Sequence, residues 1–297
     1  MTEKKTMLEK LKKLMHHFTL SLDDISVETS RARQLSIRTE IDRLRSNERY
    51  KEPKSLIPFG GKIYSQNDED GIIREIFNRI GTTNKVFVEF GIGNGLENNT
   101  LALLFEDWQG LWIDASSDSI TSIRNHFSEI IGSGKLAVVE SFITKANIDN
   151  LIATNVKHRE IDLLSVDIDG NDYHVLQAIS CITPRVIVIE YNAKFAPPVL
   201  FCMDYTETHM WTGDDCFGAS LKFLETNLNK MGYCLVGCNL TGANAFFIRR
   251  ELVTNKFLEP FTAENHFEPA RYYLSGYASG HTPTYETLAR SLTMRVS

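Results

Sequence analysis

The chain has no C-x-x-C pair, no apolar run long enough to cross a bilayer and no surplus of basic residues. Each absence excludes a class of protein. Its five cysteines (Cys181, Cys202, Cys216, Cys234 and Cys238) are odd in number, which argues against a disulfide framework. Without about 20 consecutive apolar residues there is no transmembrane helix to expect. A net charge of −6 argues against a nucleic-acid substrate, which would call for a basic groove. The first residues, Met-Thr-Glu-Lys-Lys, carry charge where a secretory signal would be apolar, so cytoplasmic residence with reduced thiols is the expectation. Internal repeats and low-complexity segments are also missing. What is present, 42% hydrophobic and 10% aromatic residues over 297 positions, suits a folded enzyme of one large domain with an appendage or of two small domains.

Charge is unevenly placed. Residues 1–54 carry 13 Lys/Arg and 9 Asp/Glu, so this stretch is positive and the remainder correspondingly acidic. Met7, Leu8, Leu11, Leu14, Met15 and Phe18 recur at helical spacing. Ser21 to Asp24 reads as a capping box opening a second helix, with Leu35, Ile41 and Leu44 as a sparser stripe among arginines. Such faces need a partner surface: the rest of the chain, a second subunit, an assembly partner or an anionic membrane. Pro53 and Pro58, with Gly60 and Gly61, mark the passage to the main domain. The expected division is an amphipathic arm at 1–54 and a domain at 55–297.

The most informative segment is Lys85–Asn99. Val86, Phe87 and Val88 read as a short buried strand ending in the acid Glu89. Gly91, Gly93 and Gly95 follow on alternate positions, and a helical pattern begins near Asn98. Glycines are needed where a chain turns tightly and brings bare backbone against a ligand. Strand, glycine turn and helix build a nucleotide crevice at the carboxyl end of a parallel sheet. The spacing is G-x-G-x-G, and Leu96 stands where the pyrophosphate-binding fingerprint wants its third glycine, which disfavours a nicotinamide-dependent dehydrogenase. A second apolar run, Leu111–Ile113, ends in Asp114, where such folds place an acid to accept from ribose hydroxyls. The glycine motif resembles the first motif of class I S-adenosylmethionine-dependent methyltransferases, in which the acid before the glycines faces the amino-acid end of the cofactor.

From Lys85 onward strands are expected at 85–90, 110–113, 136–140, 162–167 and 185–190, with helices between them. A helix near 219–231 and two closing strands, Tyr233–Cys238 and Ala245–Arg249, follow. Continuous apolar strands alternating with helices predict a mostly parallel sheet covered on both faces. The fold class expected is α/β and Rossmann-like, a seven-stranded mostly parallel sheet with a C-terminal antiparallel hairpin.

Carboxylates gather where that sheet would present its ligand crevice. The fourth strand runs into Asp167-Ile-Asp169-Gly-Asn-Asp172-Tyr-His174, and the fifth ends Glu190-Tyr191-Asn192. Crowded acids are costly unless they bind a cation, share a proton or cap a helix. Asp172 suits a cap and His174 a solvent-facing position. Asp167 and Asp169 suit catalysis. The loop from Asn192 to Asp215 holds Phe195, Tyr205, His209, Trp211, Asp214 and Asp215, and long structured loops usually carry function. Aromatic faces beside carboxylates suit a sugar or other polyol.

From about Tyr64 to Arg249 the chain resembles the FkbM-like branch of class I methyltransferases. The resemblance rests on the glycine motif, Asp167-Ile-Asp169-Gly170, the Glu190-Tyr191-Asn192 ending and the lead-in Ser65-Gln66 with Glu69, Asp70 and Gly71. It implies a cofactor site of Gln66, Glu89, Gly91, Gly93, Gly95, Asn98, Asp114, Ala115, Ser141 and Asp167. It implies an O-methyltransferase acting on a carbohydrate-like hydroxyl in polysaccharide or secondary-metabolite assembly, on a small-molecule or glycan acceptor. Asp167, Asp169 or His209 would be the base, and Tyr191, Asn192, His209, Trp211 and Asp214 would contact the acceptor. Similarity to metal-assisted O-methyltransferases adds a Mg²⁺ site at Asp167, or Asp169 in its place, with Glu190 and Asn192, as an alternative to metal-free use of the same groups. A small-molecule N-methyltransferase and a non-catalytic cofactor-binding assembly subunit remain as other readings.

Overall fold

The computed structural model describes residues 2–293; within the first helix the side chains of residues 2–6, 8, 11, 14, 20 and 21 are not described. The stripe positions Leu8, Leu11 and Leu14, and the Ser21 of the expected capping box, therefore fall outside the described side chains. The chain forms two compact units, 1–44 and 45–297.

The first unit is helix. α1 runs unbroken from Thr2 to Arg45, so no second helix opens at Ser21. The physical reason is that residues 1–52 hold neither glycine nor proline. A Ser-Asp cluster competes with a helix only weakly when nothing else stops it. The second unit begins ten residues before the boundary expected at 54/55. Arg45 Nη2 donates to the Gly60 carbonyl, Arg49 to the carbonyls of Asn265 and Phe267, and the Tyr50 hydroxyl to Glu268 at 2.6 Å. These bonds tie the segment into the larger unit.

That unit is a seven-stranded sheet, with β1 (Val86–Phe90), β2 (Gln109–Asp114), β3 (Leu136–Glu140), β4 (Glu160–Val166), β5 (Thr183–Glu190), β6 (Tyr233–Cys238) and β7 (Asn244–Arg249). The order across it is β3-β2-β1-β4-β5-β7-β6. The first five strands are parallel, and β7 enters antiparallel between β5 and β6. The expected hairpin and the expected fold class are both present. Between the strands lie α2 (Glu69–Ile80), which precedes β1, then α3 (Leu101–Leu104), α4 (Ser117–His126), α5 (Ser128–Gly132), α6 (Ile148–Asn155), α7 (Asp172–Ala178) and α8 (Leu221–Lys230). Past the sheet come α9 (Arg250–Val253), α10 (Ala263–His266) and α11 (Tyr285–Thr293).

Successive strand side chains point to opposite faces, and each face has its own core. Val86, Val88, Phe90, Leu111, Ile113, Ile187 and Ile189 pack with α6, α7 and α8. Phe87, Trp112, Leu163, Val186 and Val188 pack with α2, α4, α5 and α11. α2 belongs there because Ile72, Ile73, Ile76 and Phe77 recur at helical spacing, and it ends where Gly81 takes a positive φ. At the amino end of the sheet the buried Asp162 accepts from the Thr83, Asn84 and Lys85 amides and from Arg185, pinning the start of β1. The carboxyl end is left open. Among the described residues no helix is long and apolar enough to cross a membrane, and the cysteines are free thiols.

Candidate active site

The cleft lies at the carboxyl ends of the parallel strands, about 460 Å³ in volume, where an open α/β sheet binds its ligands. Gln66, Gly91, Gly93, Asp114, Ala115, Ser141, Asp167, Asp169 and His209 all line it. These expected site residues come from separate parts of the chain and meet in one place.

The glycine turn is shaped by close approach. Gly91 has φ +70°, and a Cβ there would fall 1.5 Å from the Asp167 carbonyl oxygen. No side chain fits between β1 and β4 at that point. Gly93 has φ +53°, and a Cβ there would meet nothing within 4 Å, so its backbone is bare towards the cleft. Gly95 differs: it lies against Ile123 and Trp112 and serves packing. Asp114, ending β2, accepts from the Gly93 amide and, through its other oxygen, from the Ser116 amide. The cap of α4 is Ser116, which accepts from the Ser119 amide.

Glu89 is turned away from the cleft, contrary to expectation. It is 3% exposed, and its carboxylate accepts from the Asn98 amide group, the backbone amides of Asn99 and Thr100 and the Thr100 hydroxyl. It holds the segment after the glycines in shape. Asn98 is likewise buried beneath the loop and serves Glu89. Burial pushes the Glu89 carboxyl up to about 7 despite these donors.

The acids after β4 divide by role. Asp172 is buried and accepts from the Ile168 and Gly170 amides, clamping the loop that carries Asp167 and Asp169. Burial raises it to about 6. Asp169 adopts φ +54°, a left-handed conformation that aspartate tolerates better than most side chains. Carboxylate oxygens of Asp167, Asp169 and Glu190 lie within 4.8 Å of one another. Burial first, then repulsion from neighbouring acids, Asp172 foremost at Asp167 and Asp167 foremost at Glu190, raises both well above the usual carboxylate range. Burial also raises Asp169, with His209 opposing it. One oxygen of Glu190, Oε2, is buried with no hydrogen-bond partner.

The expected metal set is corrected at one position. Asn192 is fully buried, with its amide group donating to the Asp215 and Phe217 carbonyls and its oxygen accepting from the Lys194 amide. It is spent on the loop, and both aspartates, Asp167 and Asp169, gather beside Glu190 instead of one of them. Three carboxylates with an unpaired buried oxygen are donors of the kind a hard divalent cation takes.

Tyr191 is also corrected: it is fully buried, and its hydroxyl donates to the Glu268 carbonyl, out of an acceptor's reach. His209 does reach the site. Its Nε2 lies 3.2 Å from the Asp169 carbonyl, and its ring sits where a Gly170 side chain would be, with Cδ2 only 2.3 Å from a Cβ built there. Asn171 ties the same loop down through the Thr206 carbonyl. Trp211 and Asp214 are exposed and pair with each other, outside the lining of the cleft. His174 is not solvent-facing; its Nε2 is 2.7 Å from the Met203 carbonyl.

Several lining residues escaped the sequence reading. Asn94 and Glu97 sit within the glycine segment, and Phe142 and Ile143 follow β3 just beyond Ser141. Their signal was position, next to residues already singled out. The hydroxyl of Tyr285, on α11, donates to the Asn94 carbonyl at 2.6 Å and braces the glycine turn from the far end of the chain. Tyr285, Leu288 and Leu292 carry the helical spacing that could have shown α11.

Strand order, glycine turn and strand-end acids together define a class I, Rossmann-like methyltransferase. The sequence pattern of the methyltransferase FkbM domain matches residues 77–235. The chain belongs to that family and is an S-adenosylmethionine-dependent methyltransferase. No curated protein sequence matches it. Among solved structures it is similar to a proposed O-methyltransferase from Klebsiella pneumoniae, at 15% identity over 59% of this chain and 76% of that one, with a TM-score of 0.38. The methyltransferase domain of bacterial CtHen1 is similar at 14% identity over 62% and 97% of the two chains, TM-score 0.39. TrmK of M. capricolum, solved with S-adenosylhomocysteine, is similar at 10% identity over 59% and 65%, TM-score 0.35.

Proposed function

We propose that this methyltransferase acts on a hydroxyl group of a carbohydrate or sugar-containing acceptor, in polysaccharide or secondary-metabolite assembly within the cytoplasm. The observation that carries the reading is the cluster of Asp167, Asp169 and Glu190 with His209 at the edge of the cofactor cleft. The bound cofactor supplies a methyl group on a cationic sulfonium. Gly91 and Gly93 would let its amino-acid end lie against bare backbone, Asp114 would accept from its ribose, and Phe142 and Ile143 would cover its base. The acid cluster favours a cation beside it, because a positive charge relieves the mutual repulsion of the carboxylates. Transfer of that methyl group to an acceptor oxygen would require the hydroxyl proton to be taken up by a group of the chain. Asp169, exposed on one side yet raised above an ordinary carboxylate, is a stronger base for it than an unshifted acid. His209 is the second candidate.

A divalent cation held by Asp167, Asp169 and Glu190 is a second reading, supported by the unpaired buried Oε2 of Glu190. It would polarise the acceptor hydroxyl. The free cysteines suit a reducing compartment.

The test is calorimetry with S-adenosylhomocysteine, followed by a methyl-transfer screen over sugar, phenol and amine acceptors with and without Mg²⁺. Transfer to sugar hydroxyls supports the reading. Transfer confined to amines would replace it.

A further inference from the structure

α1 carries a seam whose described side chains nothing in its own unit covers. Starting from Leu8, positions 8, 11, 15, 18, 22 and 25 alternate in steps of three and four and hold Leu, Leu, Met, Phe, Leu and Ile. This is the a/d pattern of a coiled coil, which brings one stripe of a helix against another helix. Of the described side chains on it, Met15 is 62% exposed, Phe18 64%, Leu22 49% and Ile25 62%. Beyond Ile25 the same register meets Thr29, Ala32 and Ser36, so the apolar seam ends there. Helices in proteins owe most of their stability to packing of an apolar face, and this one, rich in serine and threonine, lacks that support along the seam.

The charges say what would cover it. Residues 3–13 carry Lys4, Lys5, Lys10, Lys12 and Lys13 against Glu3 and Glu9. Residues 14–28 carry Asp23, Asp24 and Glu28 with no Lys or Arg. Two copies laid antiparallel, with position 8 opposite 25, 11 opposite 22 and 15 opposite 18, pair the whole seam with itself. The same register sets the basic block of each copy beside the acidic block of the other. A parallel pair would set like blocks together, within the range of about 10 Å over which charges act at moderate salt. We propose that the occupant of this face is a second copy of the chain, and that α1 forms an antiparallel two-stranded coiled coil over residues 5–28.

Sedimentation equilibrium of the full chain tests this. A reversible dimer is expected that weakens as salt rises, since attraction between unlike blocks is screened. Leu22→Asp, on an exposed helix position, should weaken it at least about tenfold, with the circular dichroism of the folded domain retained. Lys10→Glu/Lys12→Glu/Lys13→Glu should also weaken it, whereas a parallel pair would be little changed because it exchanges one like-charge contact for another. A monomer at every attainable concentration overturns the proposal, as does a dimer indifferent to Leu22→Asp. A dimer strengthened by salt overturns the antiparallel arrangement. A monomer whose arm co-sediments with phosphatidylserine vesicles would assign the seam to a membrane instead.

Discussion

The carboxylate of Asp114 accepts the backbone amide of Gly93 at 2.8 Å, joining two motifs 21 residues apart. One side chain thus holds the glycine turn in position and faces the cleft. Asp114→Ala is expected to weaken S-adenosylhomocysteine by about 1–3 kcal/mol, as expected when hydrogen-bonding groups are stranded. Calorimetry measures it; unchanged affinity would place the ribose elsewhere.

Gly91 and Gly93 should not respond alike. Gly91→Ala forces a methyl group onto the Asp167 carbonyl and should destabilise the fold by at least about 2 kcal/mol. Gly93→Ala meets no neighbour and should cost only the strain of its positive φ, about 1–2 kcal/mol, while a β-branched residue there should also hinder the cofactor. Urea denaturation with and without S-adenosylhomocysteine separates the two effects.

Asp169→Asn keeps size and removes charge, so turnover should fall by about 10²-fold or more with cofactor affinity nearly intact. Chelation divides the metal-free from the metal-assisted route. If a cation acts, chelator abolishes transfer by the unaltered enzyme and Mg²⁺ restores it. Full activity in chelator, with turnover still lost in Asp169→Asn, keeps the base and removes the metal. Full activity in both would take the cluster out of the mechanism.

Buried acids set the pH dependence of stability. Asp68 and Glu89 are raised to about 7 and Asp172 to about 6, chiefly by burial, and burial followed by repulsion from neighbouring acids holds Asp167 and Glu190 well above the usual carboxylate range. An acid with a raised folded pKa favours the folded state while protonated. Its contribution is complete below the unfolded value near 4 and is lost as pH rises through the folded value. Urea midpoints should therefore fall between pH about 4 and 7 from these groups. Glu89→Gln, which cannot ionise, should flatten part of that slope; an unchanged slope would show that Glu89 does not titrate there.

Much of this protein was legible before folding. Apolar runs alternating with helical patterns determined the strands and their parallel arrangement, because a strand buried on both faces must be apolar throughout. The glycines and the strand-end acids were legible because the carboxyl end of a parallel sheet is where chain and ligand meet. Which acid faces the ligand was decided only by the tertiary structure. Glu89 belongs to β1 and Glu190 to β5, and both are acids at a strand end, yet Glu89 turns under the loop to four donors while Glu190 joins Asp167 and Asp169. Side chains alternate across a sheet, so Tyr191, one residue beyond Glu190, enters the core. The meeting of His209 with Asp169 spans 40 residues, with α7 and β5 between them, and His209 sits in a loop without periodicity, so no local pattern encodes the contact. Sequence determines elements through short-range periodicity; the site is made by contacts between elements, and those exist only once the chain has packed.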